Sequence, residues 1–408
     1  MSSGNVSSRI VRMNATQEQN FSTKKRTSGG NRKETFILLP GSNPFDRIPP
    51  SPDLRRFYYE RNGFRVATAE TRGSRETMED AMLVFSPFGC HPDIHLFGVL
   101  DGHNGIGARD FLVDNFPKTF SSLLSKHSPS EALSQSFCET NTKLKEVQVP
   151  GGCTALFVLF DNNPKEQTQQ IPPRPTNGET GLVNLNTADV YSSREKQKQT
   201  TFGETERKNY FQTMAGEKNN YFSNGCNVYQ HDEHQADLNH TITIANAGDS
   251  RAISCIKNKV RVITKDHRPG DFSEMKRITC QGGAITTKYK QGKAITRIDT
   301  GAGFLGVSRC FGDFEVGPII EPVPDLFKLP PLVEDELLIL ACDGLFDVLE
   351  NEEVAQITFD LLQIDKSPGN IERACARLCD VAYHRKGKDN ISVMIIQHSD
   401  THTQTSSK

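Results

Sequence analysis

The chain has 408 residues, of which 48 are basic and 50 acidic, so its formal charge is −2 at pH 7. So balanced a charge gives no electrostatic attraction to nucleic acid or to an anionic membrane, and we expect neither as a partner. The mean hydropathy is −0.52, and no apolar run approaches the ~20 residues that a membrane span requires.

The composition along the chain predicts one folded domain with polar segments around and within it. Residues 1–50 and 399–408 are polar and are predicted to be disordered tails. Residues 51–398 are predicted to form the folded domain. A polar stretch at about 162–239 interrupts it, and we interpret this stretch as an insertion because apolar strands flank it on both sides.

The remaining sequence predicts strands and helices in mixed order. Short apolar runs predict strands at His95–Leu100, Thr154–Phe160, Thr241–Asn246, Val260–Thr264, Leu337–Ala341 and Ile391–Gln397. Helical periodicity predicts helices at Gly107–Asn115, Pro129–Leu144, Phe272–Gln281, Glu352–Gln363 and Ile371–His384. Asn351 and Asn370 are expected to cap the last two helices. Because the strands come in runs rather than in strict alternation with helices, the predicted class is α+β with antiparallel sheets.

Acidic residues stand at the ends of several predicted strands. Asp101 and Asp343 each follow an apolar run and precede a glycine. Asp249 follows a third run, and Asp389 precedes the last strand. A single Asp-Gly pair is more typical of a turn. Several carboxylates at one sheet edge would repel one another unless cations held them, so the pattern predicts a divalent-metal cluster. All-oxygen ligands favour Mg²⁺ or Mn²⁺.

Such a cluster suits the hydrolysis of phosphoesters. Two metals about 3.5–4 Å apart, bridged by a carboxylate and a water, acidify the water and neutralise the phosphoryl oxygens. Arg75 lies beside the acidic residues, and its planar guanidinium suits a phosphate dianion. The alternative for Arg75 is a salt bridge to Glu79. His103 follows the Asp-Gly turn and could protonate a leaving alkoxide. The alternative for His103 is a hydrogen-bonded structural imidazole.

The order of the motifs resembles that of the metal-dependent Ser/Thr phosphatases, the PPM or protein phosphatase 2C family. The resemblance covers about residues 63–397, and it is carried by RETMEDA, FGVLDGHNG, GGCTALFVL, IANAGDSRA, DHRP, LGVSRCFGD, LACDGLFDV and KDNISVMII. It implies a four-layer α-β-β-α sandwich, with two central antiparallel sheets flanked by antiparallel helices. It also implies two Mg²⁺ or Mn²⁺ ions per active site, with a weaker third.

The resemblance implies a ligand set, residue by residue. Asp101 would bridge both metals. Glu79 and the carbonyl of Gly102 would complete the first metal site, and Asp343 with Asp389 the second.

Further roles follow from the same motifs. Asp249 would help to hold the weaker third metal, and Asp80 and Asp347 would hold water molecules of the metal centre. Arg75 would bind the phosphate of the substrate, and His103 would act as the general acid. The implied activity is the hydrolysis of phosphoserine and phosphothreonine in proteins, by a monomer, with water activated by the two metals as the nucleophile.

Small departures from the family pattern leave the ligands intact. Asn104 stands where glycine is common, Cys310 where alanine is usual, and Phe346 where tryptophan is usual. The segment Thr287–Ile298 matches a short variable flap, so substrate preference does not carry over. Two other readings stay open: a pseudophosphatase that binds metal and docks a partner, and a phosphoesterase for small phosphates.

The cysteines and the first residues bear on the location of the protein. The ten cysteines include no Cys-x-x-Cys and several lie in apolar runs, so we expect them to be reduced core residues. The first residues contain no apolar secretory segment, and a cytoplasmic location is expected. A nuclear location is the alternative, because Lys24–Arg26 is a basic cluster of the kind found in import signals.

Overall fold

The computed structural model describes residues 48–162 and 241–398, apart from 258, 291, 292, 302, 366, 368 and 386. The predicted tails and insertion lie outside these residues, except for 48–50 and 162, so their boundaries stay predictions. Within the described part, no helix is long and apolar enough to cross a membrane.

The first sheet contains six antiparallel strands. In spatial order they are β1 (Arg55–Arg61), β2 (Phe64–Thr71), β15 (Ile391–His398), β14 (Glu336–Ala341), β7 (Arg251–Ile256) and β8 (Lys259–Val262). The last strand of the chain therefore lies in the middle of the sheet, beside a strand from its beginning.

The second sheet is also antiparallel. In spatial order its strands are β13 (Asp325–Leu329), β6 (Thr241–Ala247), β5 (Gly152–Asp161), β4 (Ile94–His103) and β3 (Asp80–Phe85), and β12 (Phe311–Gly312) pairs with one end of β5. A small third sheet holds β9 (Ala284–Lys290), β10 (Lys293–Asp299) and β11 (Phe304–Leu305). The hairpin β9–β10 includes the segment predicted as the variable flap.

The helices of the described residues are α1 (Gly107–Leu124), α2 (Pro129–Val147), α3 (Phe272–Cys280), α4 (Asp343–Phe346), α5 (Asn351–Ile364) and α6 (Asn370–His384), with a 3-10 helix at Phe314–Ile319. The long helices α1, α2, α5 and α6 pack on the outer faces of the two large sheets, whereas α3 packs against β9 of the small third sheet. The sequence indicates where helix α2 begins. At α2, Ser128 and Glu131 form a capping box and Pro129 occupies the first turn, which satisfies N–H groups that would otherwise lack partners.

Three apolar cores separate four layers. Because strand side chains alternate, Leu337 and Ile339 of β14 face α5 and α6, while Leu338 and Leu340 face the other sheet. Helices α1 and α2 cover the second sheet over a third core that includes Phe116. The predicted α+β class and the α-β-β-α sandwich are confirmed.

The predicted helix caps are wrong by one residue. Helix α5 has Glu350 at its N-cap and α6 has Gly369, so Asn351 and Asn370 are the first helical residues. The amide groups of both asparagines are bonded elsewhere. Asn351 accepts a hydrogen bond from Arg251 at 2.8 Å, and the amide nitrogen of Asn370 donates to the carbonyl of Asp365 at 3.1 Å.

Candidate metal centre and active site

Asp101 lies near the end of β4, where β3 begins. Asp80 and Asp101 are paired across these strands. The next residue, Gly102, donates its N–H to the carbonyl of Glu79 at 3.2 Å. A Cβ atom at Gly102 would lie 2.6 Å from that carbonyl oxygen. Glycine therefore allows the close approach that brings the Glu79 segment to Asp101.

Two further carboxylates approach from the ends of other strands. Asp343 opens α4 directly after β14, and the following Gly344 packs so closely on the carbonyl of Asn390 that a Cβ atom would overlap it. Asp249 follows β6 through Gly248, whose φ of 135° is accessible to glycine and costly for other residues.

The carboxylate oxygens of Asp101, Asp249 and Asp343 all lie within 4.8 Å of one another. Burial raises the pKa of Asp101 well above its ordinary value, and the charges of Asp80 and Asp343 raise it further. Burial and then the charge of Asp249 raise the pKa of Asp343 in the same way. Carboxylates that disfavour ionisation because they are buried and face each other are a donor set that fits hard divalent cations.

Glu79 and Asp389 lie beside this cluster rather than within it. An oxygen of Glu79 accepts a hydrogen bond from the Thr77 hydroxyl at 2.8 Å. Asp389 accepts one from Arg75 at 2.6 Å. The charge of Asp389 is nevertheless close enough to contribute to the raised pKa of Asp101.

Asp80 points into the protein interior below the cluster. It is 2% exposed, and one carboxylate oxygen accepts a hydrogen bond from the Ser392 hydroxyl at 2.7 Å. Its backbone carbonyl accepts a second one from Arg109 at 3.1 Å. Burial raises the pKa of Asp80 in spite of the hydrogen bond from Ser392.

Asp347 lies at the rim of the site, paired with an arginine that the sequence analysis did not assign. Arg268 donates to Asp347 at 2.9 Å, and its Nε atom lies 3.7 Å from Asp249 and 3.3 Å from Asp266. These acidic neighbours outweigh burial and raise the pKa of Arg268. The DHRP motif contains both Arg268 and Asp266, but nothing in the motif indicates the other two carboxylate neighbours, Asp249 and Asp347.

Arg75 is half-exposed, with 53% of its side chain accessible, and its partner differs from the predicted alternative. It donates to Asp389 at 2.6 Å and to the carbonyl of Lys388 at 3.1 Å. The predicted alternative, a salt bridge to Glu79, is therefore wrong, because the acidic partner of Arg75 is Asp389.

His103 is held by a buried carboxylate from a distant part of the chain. Its Nε2 atom lies 2.5 Å from Oδ2 of Asp313, which is 1% exposed. Burial alone would lower the pKa of His103, but the bond to Asp313 and the acidic charges around it outweigh burial, so the pKa is raised. The Nδ1 atom has no hydrogen-bond partner among the described residues. Asp313 was missed from the sequence, although it ends the LGVSRCFGD motif.

Asn390 connects the acidic segment to the start of β15. Its side-chain oxygen accepts from the N–H of Glu79 at 2.7 Å. Its amide nitrogen donates to the carbonyls of Arg72 and Thr77, each at 2.9 Å. With three bonds and 4% exposure, Asn390 fixes the backbone that carries Glu79, a role that the sequence analysis also missed.

A cleft of about 1500 Å³ extends from this site to the hairpin β9–β10. Its acidic end is lined by Asp249, Asp343 and Asp347, and its far wall by Ile295 and Arg297.

The fold and the acidic sheet edge agree with a comparison to known families. A family model described as protein phosphatase 2C matches residues 64–164 and 227–391. The chain therefore belongs to the protein phosphatase 2C family, which confirms the resemblance found in the motifs.

The curated relatives match this chain over only part of their own length. The chain is 27% identical over 329 residues to a protein kinase and PP2C-like domain-containing protein of Oryza sativa subsp. japonica, covering 80% of this chain and 38% of that protein. It is 34% identical over 167 residues to human protein phosphatase 1A, covering 38% and 40%. Mouse protein phosphatase 1B is 32% identical over 164 residues, covering 38% of each chain. The chain thus spans about two fifths of the length of the curated relatives it matches.

Solved structures share the fold. A phosphatase from Toxoplasma gondii superimposes with a TM-score of 0.56 at 22% identity, over 85% of this chain and 94% of that one. A C. elegans sex determining protein gives a TM-score of 0.56 at 19% identity, over 83% and 65%.

Proposed function

We propose that this chain is an active, metal-dependent protein phosphatase that releases phosphate from phosphoserine and phosphothreonine. The observation that carries the proposal is the convergence of Asp101, Asp249 and Asp343 within 4.8 Å at strand ends of the two large sheets. No carboxylate that the family pattern places at the metals is missing from the sequence, which favours an enzyme over a pseudophosphatase.

The proposed metal ligands follow from this arrangement. Asp101 would bridge two ions, Glu79 and the Gly102 carbonyl would complete one site, and Asp343 with Asp389 the other. Mg²⁺ or Mn²⁺ bound there would neutralise phosphoryl oxygens and lower the pKa of a water so that it can attack phosphorus.

Three more carboxylates complete the proposed centre. Asp249 would hold a weaker third ion. Asp80 and Asp347 would orient water, Asp80 from the buried side through its bond to Ser392, and Asp347 from the rim beside Arg268.

The remaining residues act on the substrate. The half-exposed guanidinium of Arg75 would bind the phosphate dianion through parallel N–H donors. His103 would donate a proton to the departing serine or threonine oxygen. Because Asp313 holds Nε2, the proton available for transfer is the one on Nδ1, which has no other partner among the described residues.

The proposed substrate is a phosphoprotein segment rather than a small phosphate. The support is the cleft of about 1500 Å³ beside the carboxylates, which continues along the hairpin β9–β10. A free nucleotide or sugar phosphate would leave most of this cleft unfilled. The monomeric state, the absence of nucleic-acid partners and the cytoplasmic location stay predictions.

The experiment compares phosphopeptide turnover with Mn²⁺, with Mg²⁺ and with EDTA. We expect turnover with either metal, none in EDTA, and little with nucleotide or sugar phosphates. Asp343→Asn should lose most activity and regain part of it at high Mn²⁺, because only one of the two metal sites is weakened. Glu139→Gln, which changes an exposed carboxyl on α2, is the matched control. Full turnover in EDTA, or preference for a small phosphate, contradicts the proposal.

A further inference from the structure

A second group of metal-binding atoms lies next to the carboxylate cluster and differs from it in chemistry. Nε2 of His103, Sγ of Cys310 and a carboxylate oxygen of Asp313 all lie within 4.8 Å of one another. Nε2 is 2.5 Å and Sγ 3.2 Å from the same Asp313 oxygen. One imidazole, one thiol and one carboxylate thus converge on a single point.

Burial and backbone geometry hold these three groups in place. Cys310 and Asp313 are each 1% exposed, while 24% of the His103 side chain is accessible, which leaves one open side. Gly152 borders the group, and a Cβ atom there would lie 2.5 Å from both Nε2 and Oδ2. No side chain at position 152 therefore separates the donors.

The spacing of the donor atoms is close to that around a tetrahedral zinc ion. Zn–N and Zn–O bonds of about 2.0–2.1 Å keep two such ligand atoms about 3.3 Å apart, and a Zn–S bond of about 2.3 Å keeps sulfur about 3.5 Å from oxygen. The sulfur–oxygen distance of 3.2 Å needs little change. The nitrogen–oxygen pair at 2.5 Å must open by somewhat less than 1 Å.

The donor atoms of this group favour a different metal from the metal that suits the carboxylate cluster. Thiolate and imidazole ligands favour zinc and related soft ions, whereas Mg²⁺ and Mn²⁺ prefer oxygen. Burial raises the pKa of the Cys310 thiol well above its ordinary value, so the free protein keeps the proton on sulfur. A bound zinc ion would displace that proton, as zinc does from any thiol that coordinates it.

We propose that His103, Cys310 and Asp313 form a zinc-binding site that inhibits the enzyme. The fourth position of the ion would face the open side of His103. A zinc ion at this place would bind Nε2 in place of the hydrogen bond to Asp313 and release the Nε2 proton to solvent. The ring would then be a neutral, metal-bound imidazole, whose Nδ1–H is a far weaker acid than that of the imidazolium, so proton donation to the leaving oxygen would be lost. The inhibitory effect rests on the proposed function, while the binding of the ion does not.

The binding test uses the full chain with saturating Mn²⁺ and Cd²⁺ as the probe, because Cd²⁺ bound to a thiolate absorbs in the ultraviolet. We expect an absorption band in the wild-type protein that is lost in Cys310→Ala. Cys90→Ser, which changes an exposed free cysteine, is the matched control and should keep the band. Cys310→Ser, which preserves the size of the side chain, serves if the alanine variant does not fold.

The inhibition test measures phosphopeptide turnover against buffered free Zn²⁺ at saturating Mn²⁺, with each variant normalised to its own uninhibited rate. Loss of even an outer partner of a zinc ligand weakens binding roughly 10–100-fold. We therefore expect half-inhibition of Cys310→Ala at a Zn²⁺ concentration at least about 10-fold above that for wild type and Cys90→Ser. The proposal is overturned if Zn²⁺ half-inhibits wild type and Cys310→Ala at the same concentration. It is also overturned if Cys310→Ala shows the same Cd²⁺ band as wild type. If the chain hydrolyses no phosphopeptide, the Cd²⁺ band alone decides whether the site binds metal.

Discussion

The two ring nitrogens of His103 have different surroundings. Nε2 is bonded to a carboxylate that is 1% exposed, and the contact spans 210 positions of sequence. The other nitrogen, Nδ1, has no partner within the described residues. A ring that is oriented at one nitrogen and free at the other is suited to deliver a proton in one direction.

His103→Gln tests this role. We expect turnover of phosphopeptides to fall by roughly 10²–10⁴-fold, because the serine or threonine oxygen needs a proton as it leaves. An activated aryl phosphate, whose leaving group needs no proton, should lose much less. His91→Gln is the control, since His91 lies in the loop at the opposite end of β3 and β4 from Asp101. Equal losses on both substrates mean that His103 only orients other groups.

The residues that the motifs identified are close together in sequence or stand directly at strand ends. Asp101, Asp249 and Asp343 converge as predicted, because β4 and β6 are both antiparallel to β5 and end at the same edge of the second sheet, and β14 of the first sheet ends close to them. Their supporting partners come from distant segments. Asn390 reaches Glu79 across 311 positions, and no local pattern selects such a pair.

At the scale of single elements, long-range bonds also explain the errors in the predicted boundaries. Asparagine is a residue type that commonly caps helices. The side-chain oxygen of Asn351, however, accepts a hydrogen bond from Arg251, which is 100 positions away. Strands β1 to β3 were not predicted from the sequence, and β2 shows why. It is buried on both faces and built mainly from small residues, so it lacks the alternation that marks a half-buried strand.

Helix α3 depends on a buried acidic residue with two arginine partners. Glu274 is 2% exposed and accepts hydrogen bonds from Arg309 at 2.6 Å and from Arg277 at 2.9 Å. Burial alone would raise its pKa, but the two arginines outweigh burial and lower the pKa to about 2. Because Arg309 also donates to Asp325 of β13 at 2.9 Å, this group ties α3 to the second sheet.

The low pKa of Glu274 predicts how stability depends on pH. The unfolded chain takes up the proton near the ordinary value of 4.5, and the folded protein only near 2. Ionised Glu274 therefore contributes about 3 kcal/mol to the free energy of unfolding. This contribution is complete above about pH 4.5 and is lost as the pH falls toward 2.

Urea unfolding of Glu274→Gln at pH about 6 and about 3 measures this contribution. We expect the variant to be less stable than wild type by roughly 3–5 kcal/mol at the higher pH, because a buried ion pair is broken. The difference in the free energy of unfolding between wild type and Glu274→Gln should be smaller at the lower pH. Glu353→Gln removes an exposed pair with Arg385 and should cost less than about 1 kcal/mol. A difference between wild type and Glu274→Gln that does not change with pH contradicts the assignment.

At the scale of the whole molecule, the domain has a long interruption between two neighbouring strands. The strands on either side of it, β5 and β6, are antiparallel neighbours with Asp161 opposite Thr241. The chain therefore leaves and re-enters the sheet at adjacent points. Loop closure costs only about 0.6 kcal/mol for each doubling of loop length, so a long connection here is compatible with the fold.

Replacing about residues 164–236 by a short Gly-Asn turn tests whether the domain needs the insertion. We expect the melting temperature and the phosphopeptide turnover to change little, because the strands on either side are already paired. Limited proteolysis of the full chain is the companion measurement, with cleavage expected in this segment and in the first 50 residues. A replacement that unfolds the domain would show that the segment packs against it.

Asp101 is proposed to bridge the two metals. Turnover of Asp101→Asn, measured across a Mn²⁺ titration, tests this bridge. The amide lacks the negative charge that two adjacent cations require. We expect no detectable phosphopeptide turnover even at saturating Mn²⁺, whereas Asp343→Asn and Asp389→Asn should recover in part. Calorimetric titration with Mn²⁺ should show weaker binding to Asp101→Asn. Near-full activity of Asp101→Asn in saturating Mn²⁺ would contradict the two-metal centre.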